Sequence, residues 1–184
     1  MPSIPAGFNA QSTEDLSPDF EALFTANWSR VAGMLLSLVG DREEAEDLAL
    51  ETFWRYYRRP PRSRENVIGW LYRTATNLGL NALRARRRRA NYEGQAGRMV
   101  LDDAPAPDPA EEFERSEQRR QVRSVLAQMK PRSARLLVLR HSGLSYAEVA
   151  SAVNINPSSV GKFLARAEAE FEQLYRKTFG FDER

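Results

Sequence analysis

The sequence predicts an all-α protein of two helical domains joined by an acidic, flexible linker. Three observations carry this expectation. Apolar residues recur at three- and four-residue spacing between capping and proline signals, no segment alternates as a half-buried strand does, and a Gly-, Pro- and Asp-containing stretch without periodicity separates two sets of such helices. The elements follow in order. Residues 1–16 mix Pro, Ser, Gly, Asn and Gln and are expected to form a flexible tail. Ser17-Pro18 offers an N-cap and a first-turn proline, and Phe20, Leu23, Phe24, Trp28, Val31, Leu35 and Leu38 recur at helical spacing, which predicts a first helix over 18–39. Gly40 stops it. Asp41 with Glu44 is a capping-box pattern for a second helix, which runs to about Arg59 before Pro60-Pro61. Ser63 is the expected cap of a third helix, which runs through Trp70 and Leu78 into an arginine block and closes a first domain over 17–90.

Residues 91–108 have linker composition, and a second domain is expected over 109–180. Asp108-Pro109 with Glu111 restarts helix, and Phe113, Val122, Val125, Leu126 and Met129 carry its stripe. Pro131 begins the next helix, stopped by Gly143. Ser145 with Glu148 is a second capping box, opening a short helix to about Val153. Asn156-Pro157 opens a final one to about Thr178.

Composition narrows the chemistry. Among 184 residues there is no cysteine and one histidine, His141, so disulfides, thiolate nucleophiles, and thiolate or multi-histidine metal sites are excluded. No cofactor, metal or catalytic residue is expected. The nearest enzyme-like groups are Glu43, Glu44 and Glu46, which suit a helix's first turn, and Ser158 and Ser159, which have no histidine beside them. No run of apolar residues approaches the roughly 20 needed to span a bilayer, so a cytoplasmic protein without membrane insertion is expected. The net charge of +2 conceals segregation. Arg84, Arg86, Arg87, Arg88 and Arg89 stand nearly together, and Asp102, Asp103, Asp108, Glu111, Glu112, Glu114 and Glu117 follow, with only Arg98 before them and Arg115 among them. Such a basic block suits a polyanion.

Three constellations stand out. The segment from Ser145 through the Asn154-Ile155-Asn156 break to Pro157 reads as a helix-turn-helix burying Val149, Ala150, Val153, Val160 and Leu164. Ser158, Ser159, Lys162 and Arg166 then face outward near the start of the recognition helix, where they suit phosphates and base edges. A plain helical hairpin with solvated cations is the alternative. On the third helix, a wheel count places Val67, Leu71, Thr74, Leu78 and Ala82 on the buried face and Trp70, Arg73, Asn77, Asn81, Arg84 and Arg88 on an adjoining stripe. That stripe combines a stacking plane, amide donors and acceptors, and guanidinium forks, as unstacked bases require. Alternatively Trp70 is half-buried core and the arginines a solvated helix end. On the second helix, Trp54 lies with Asp47, Glu51 and Arg58 on a charged face opposite the apolar one, with Leu50 on its flank. Either it binds a partner or it covers its own domain's edge.

Together these segments resemble a bacterial sigma factor of the sigma-70 family, in its extracytoplasmic-function subfamily. Asp41 to Trp54 resembles region 2.2, Trp70 to Asn77 and Asn81 to Arg84 resemble regions 2.3 and 2.4, and Gly143 to Ala167 resembles region 4.2. The resemblance implies that Asp47, Leu50, Glu51, Trp54 and Arg58 meet the clamp helices of the core RNA polymerase β′ subunit. It implies that Trp70, Arg73, Asn77, Asn81, Arg84, Arg86, Arg87 and Arg88 bind and open the −10 promoter element, with Asn77 receiving a base flipped from the non-template strand. It further implies −35 recognition by Ser158, Ser159, Lys162 and Arg166, docking of the second domain on the β flap, and control by an anti-sigma factor. In this sequence Leu50 stands where region 2.2 usually has Gln, Asn81 where Asp is frequent, and Gly161, Phe163 and Glu168 where basic residues are common. Readout of −35 is therefore expected to be weaker or more shape-dependent than usual. A stand-alone helix-turn-helix regulator is the competing expectation, although no dimerisation helix is evident.

Overall fold

The computed structural model describes residues 18–61, 66–92 and 109–180. The expected tail over 1–16, the caps at Ser17, Ser63 and Asp108, and the linker apart from its first two residues lie outside them. Among the described residues there are seven α-helices and no strand: α1 (Pro18–Val39), α2 (Arg42–Arg58), α3 (Val67–Tyr92), α4 (Pro109–Gln128), α5 (Pro131–His141), α6 (Tyr146–Val153) and α7 (Val160–Phe179).

Local chemistry sets the ends. Asp41 accepts the Glu44 backbone N–H at 2.7 Å and caps α2. The reciprocal half of that capping box is replaced by a longer-range contact. The Glu44 carboxylate pairs with Arg86 of α3, whose guanidinium also donates to the Val39 carbonyl at 3.0 Å and so ties the end of α1 to the start of α2. At the start of α3 the observed cap is Asn66, which accepts the Gly69 N–H at 3.0 Å. Ser145 and Glu148 complete the expected capping box at α6. Asn154 then takes the left-handed conformation (φ 56°), and a 3-10 turn over Pro157–Ser159, capped by Asn156, leads into α7. Asn tolerates that conformation because its short amide bonds locally.

The buried face of α3 is not the expected one. Of Val67, Leu71, Thr74, Leu78 and Ala82, only Leu71 is fully buried; the core side is formed by Leu71, Tyr72, Ala75, Thr76, Gly79, Leu80 and Leu83. The centre of burial is rotated by about a third of a turn at 100° per residue. The reason is tertiary: α3 packs against α1 and α2 on one side and against α4, α5 and α6 on the other. Small residues permit this closeness. A Cβ on Gly79 would stand 2.5 Å from a methyl of Leu38, so α1 and α3 meet at a distance only glycine allows.

Gly40, at φ 78°, ends α1 and lies directly under the guanidinium of Arg123, a buried side chain of α4. The four C-terminal helices thus rest on the three N-terminal ones. The Asp19–Val39 stretch of α1, with mean hydropathy 1.2, is long and apolar enough by length and composition to cross a membrane, contrary to the expectation from uninterrupted apolar runs. Its apolar stripe is used otherwise: Val31, Met34, Leu35, Leu38 and Val39 are buried in the protein core.

Candidate nucleic-acid interface

On α2, Ala45, Ala49, Thr52 and Phe53 point inward, which turns Trp54 to the surface, where it is 48% exposed. The structure brings its expected neighbours together. Arg58 lies over the Trp54 ring at 5.8 Å, Asp47 is exposed, Leu50 is half-buried, and Glu51 is held by Arg55 at 2.7 Å. Tyr57 was absent from the expected set. It stacks on Trp54 at 5.8 Å and is 42% exposed, and its position three residues after Trp54 was the available signal. Two adjacent aromatic rings with a charged margin have the make-up of an interface anchor, since they can bury much area with few rotatable bonds.

The α3 stripe is more mixed. Trp70 is half-buried and meets the edge of Tyr56 at 5.8 Å, so much of its ring belongs to the core. Arg73, Asn77 and Arg84 are half-buried, whereas Asn81, Arg87, Arg88 and Arg89 are exposed. Arg86 parts from its neighbours. Its guanidinium is engaged by Glu44 and Val39, so its charge holds three helices together.

Like charges gather where α3 packs against α5. Burial and then the nearby charges of Arg73, Arg84 and Arg132 push the pKa of Arg135 on α5 down; that of Arg84 is lowered by burial and by Arg88. Arg84 Nη2 and Arg135 Nε are buried with no hydrogen-bond partner among the described residues. Like charges gathered in a partly dry contact repel, because less water is present to screen them. Nearby, the buried Tyr72 has its pKa raised by desolvation, against the lowering effect of Arg30, whose guanidinium stands 5.6 Å from the ring centroid.

The helix-turn-helix is open to solvent on its outer face. Val149, Ala150, Val160 and Leu164 are buried and Val153 half-buried, as the spacing predicts. Lys162 and Arg166 are exposed, Ser159 is half-buried, and Ser158 donates both its N–H (3.0 Å) and its hydroxyl (2.8 Å) to Asn156. The cations of α7 are thus presented one turn apart on a helix anchored from behind. No group of acidic or histidine side chains that could hold a metal occurs among the described residues.

Comparison with known proteins bears on all three surfaces. The Sigma-70 region 2 family model matches residues 23–89, and the Sigma-70, region 4 model matches residues 119–171. The chain belongs to the sigma-70 family. The first match contains the α2 face and the α3 stripe; the second contains the recognition helix through Arg166. The ECF RNA polymerase sigma factor SigE of Mycolicibacterium smegmatis is 28% identical over 180 residues, which cover 96% of this chain and 69% of that protein. The RNA polymerase sigma-H factor of Pseudomonas aeruginosa is 28% identical over 165 residues, 84% of each. In fold, the chain is similar to the sigma factor RpoE of Bartonella quintana, solved in complex with the anti-sigma factor NepR. The TM-score is 0.54 at 18% identity, covering 88% of this chain and 99% of the other. This member of the extracytoplasmic-function group is an RNA polymerase sigma factor acting in promoter recognition.

Proposed function

We propose that the region over 17–90 binds core RNA polymerase and opens the −10 element, and that the region over 109–180 reads the −35 element, with the acidic segment 91–108 linking them. The observation that carries this division is the outward presentation of Trp54, stacked with Tyr57 and Arg58, on a helix separate from the nucleic-acid stripe. A protein-binding anchor and a base-binding stripe on successive helices allow one domain to hold polymerase and DNA together.

In this reading Asp47, Leu50, Glu51, Trp54 and Arg58 meet the β′ clamp helices. Asn77 takes a flipped base while Trp70 and Arg73 line its place. Asn81, Arg84, Arg87 and Arg88 hold the strand and the adjoining duplex, where phosphate contacts weaken steeply with salt. Ser158, Ser159, Lys162 and Arg166 meet the −35 duplex, and the C-terminal region docks on the β flap. The protein works in the cytoplasm, performs no chemistry of its own, and is held in check by an anti-sigma factor.

The test is transcription from a promoter library by core polymerase with and without the protein. Discrete start sites are expected only in its presence. Trp54→Ala should abolish binding to core, and Asn77→Ala should leave core binding intact while strand opening, read by permanganate reactivity, is lost. A protein that leaves core polymerase inactive yet retards duplex DNA alone would instead be a stand-alone regulator.

A further inference from the structure

The first half of α7 carries only two cations, Lys162 and Arg166, yet the structure places a third beside them from another helix. Phe163 lies between Ser159 and Arg166 on one stripe of α7, at positions four and seven residues along. The guanidinium carbon of Arg132, in the first turn of α5, stands 4.7 Å from the centre of the Phe163 ring. Arg132 is exposed, and no carboxylate pairs with it among the described residues. Lys130, Arg132, Phe163 and Arg166 are among the residues lining one open cleft of about 420 Å³.

One carboxylate also lines that cleft. Glu170 is occupied with the start of α5: its oxygens accept the Lys130 N–H at 2.8 Å and the Ser133 hydroxyl at 2.7 Å. It thereby anchors the turn from which Arg132 projects. A guanidinium attracted to an aromatic face keeps its in-plane N–H donors available, and their fork fits two phosphate oxygens.

We propose that Arg132, carried on the ring of Phe163, grips a DNA phosphate beside the recognition helix and so serves as a third cation of the −35 surface. Phe163 is the positioning residue and Arg132 the contact. The aromatic ring supplies no charge itself; it restrains a long side chain that would otherwise sample many rotamers, so less ordering is needed when DNA arrives. The inference rests on the reading of α7 as the DNA-facing helix.

The test uses the full chain and a fluorescein-labelled random-sequence duplex, with affinity read by anisotropy across a salt series. Arg132→Ala should weaken binding about fivefold and reduce the slope of log affinity against log salt by about 1. Phe163→Leu, which keeps an apolar side chain against the core, should weaken binding to a similar degree, and the double variant should add little to either single change. Phe163→Tyr should retain wild-type affinity and slope. If Lys162→Ala and Arg166→Ala weaken binding while Arg132→Ala matches the wild type, the inference fails and the DNA-facing reading of α7 stands. If none of the three cation variants changes affinity, that reading fails as well. Loss in Arg132→Ala with normal binding in Phe163→Leu would overturn the role of the ring. Because Arg132 is exposed, its variant tests the contact even if a Phe163 variant folds poorly.

Discussion

The two surfaces proposed to meet nucleic acid in this sigma factor differ in how far the rest of the chain covers them. On α7, Lys162 and Arg166 are exposed, and the apolar stripe behind them is anchored by α4 and α5. On α3, Trp70, Arg73, Asn77 and Arg84 are half-buried, and Arg135 of α5 lies within electrostatic range of Arg73 and Arg84. The face proposed to read duplex is presented in the isolated chain, whereas the stripe proposed to open the strands lies on the helix that packs against both halves of the molecule. Duplex readout needs only a rigid helix at the surface. A pocket for a flipped base needs a partly dry surface, and a half-buried stripe also offers itself to the chain's own C-terminal helices.

The largest effect should come from disturbing the helix that both halves share. Gly79→Leu would drive a side chain into Leu38 and Leu35, and a destabilisation of about 2 kcal/mol is expected in urea unfolding, with α1–α3 losing amide-exchange protection before α5–α7. Equal loss in both halves would instead mark them as one cooperative unit.

An intermediate effect is expected at the arginine contact. Arg135→Glu would set a carboxylate among Arg73, Arg84 and Arg132, turning repulsion into attraction and holding α5 on α3. Transcription initiation should fall about tenfold, equivalent to about 1.4 kcal/mol, a larger loss than anisotropy with a short duplex shows through the neighbouring Arg132. Unchanged initiation would show that this packing places no restraint on the −10 stripe.

The smallest effect concerns the helix-turn-helix alone. Ser145→Ala removes the α6 cap, and a loss of about 1 kcal/mol is expected. Hydrogen bonds from Ser145, first from the side chain and then from the backbone, hold the Glu148 carboxyl below its usual range. A depressed folded-state pKa contributes stability above the unfolded value, and that stability disappears as pH falls through the folded value. Thermal melts of the wild type should therefore lose part of their stability below about pH 4, and Ser145→Ala should flatten this dependence.

Much of the fold was legible because helix ends are decided by neighbours in the chain. Asp41, Ser145 and Gly143 act across four residues or fewer, and a polymer physicist would find the same signals in any protein. The order of the three constellations was legible too, as was the outward position of Trp54. Tyr57 went unrecognised because a tyrosine flanking an apolar face fits core and surface equally well by spacing. Arg132 could not be found at all: nothing near it in the sequence signals that the ring of Phe163, on another helix, will receive its guanidinium.

The sequence by itself determined the run of amphipathic helices, the caps at Asp41 and Ser145, the turn at Asn154 and the clustering of arginines at the end of α3, since each depends on residues within a turn or two. Only the tertiary structure decided which face of α3 is buried, that Arg86 binds Glu44, that Arg123 covers Gly40, and that Arg73, Arg84 and Arg135 crowd together. These are contacts between residues far apart in the chain. A helix with polar and apolar groups on several faces has more than one way to pack, and the neighbours that choose among them lie on other helices.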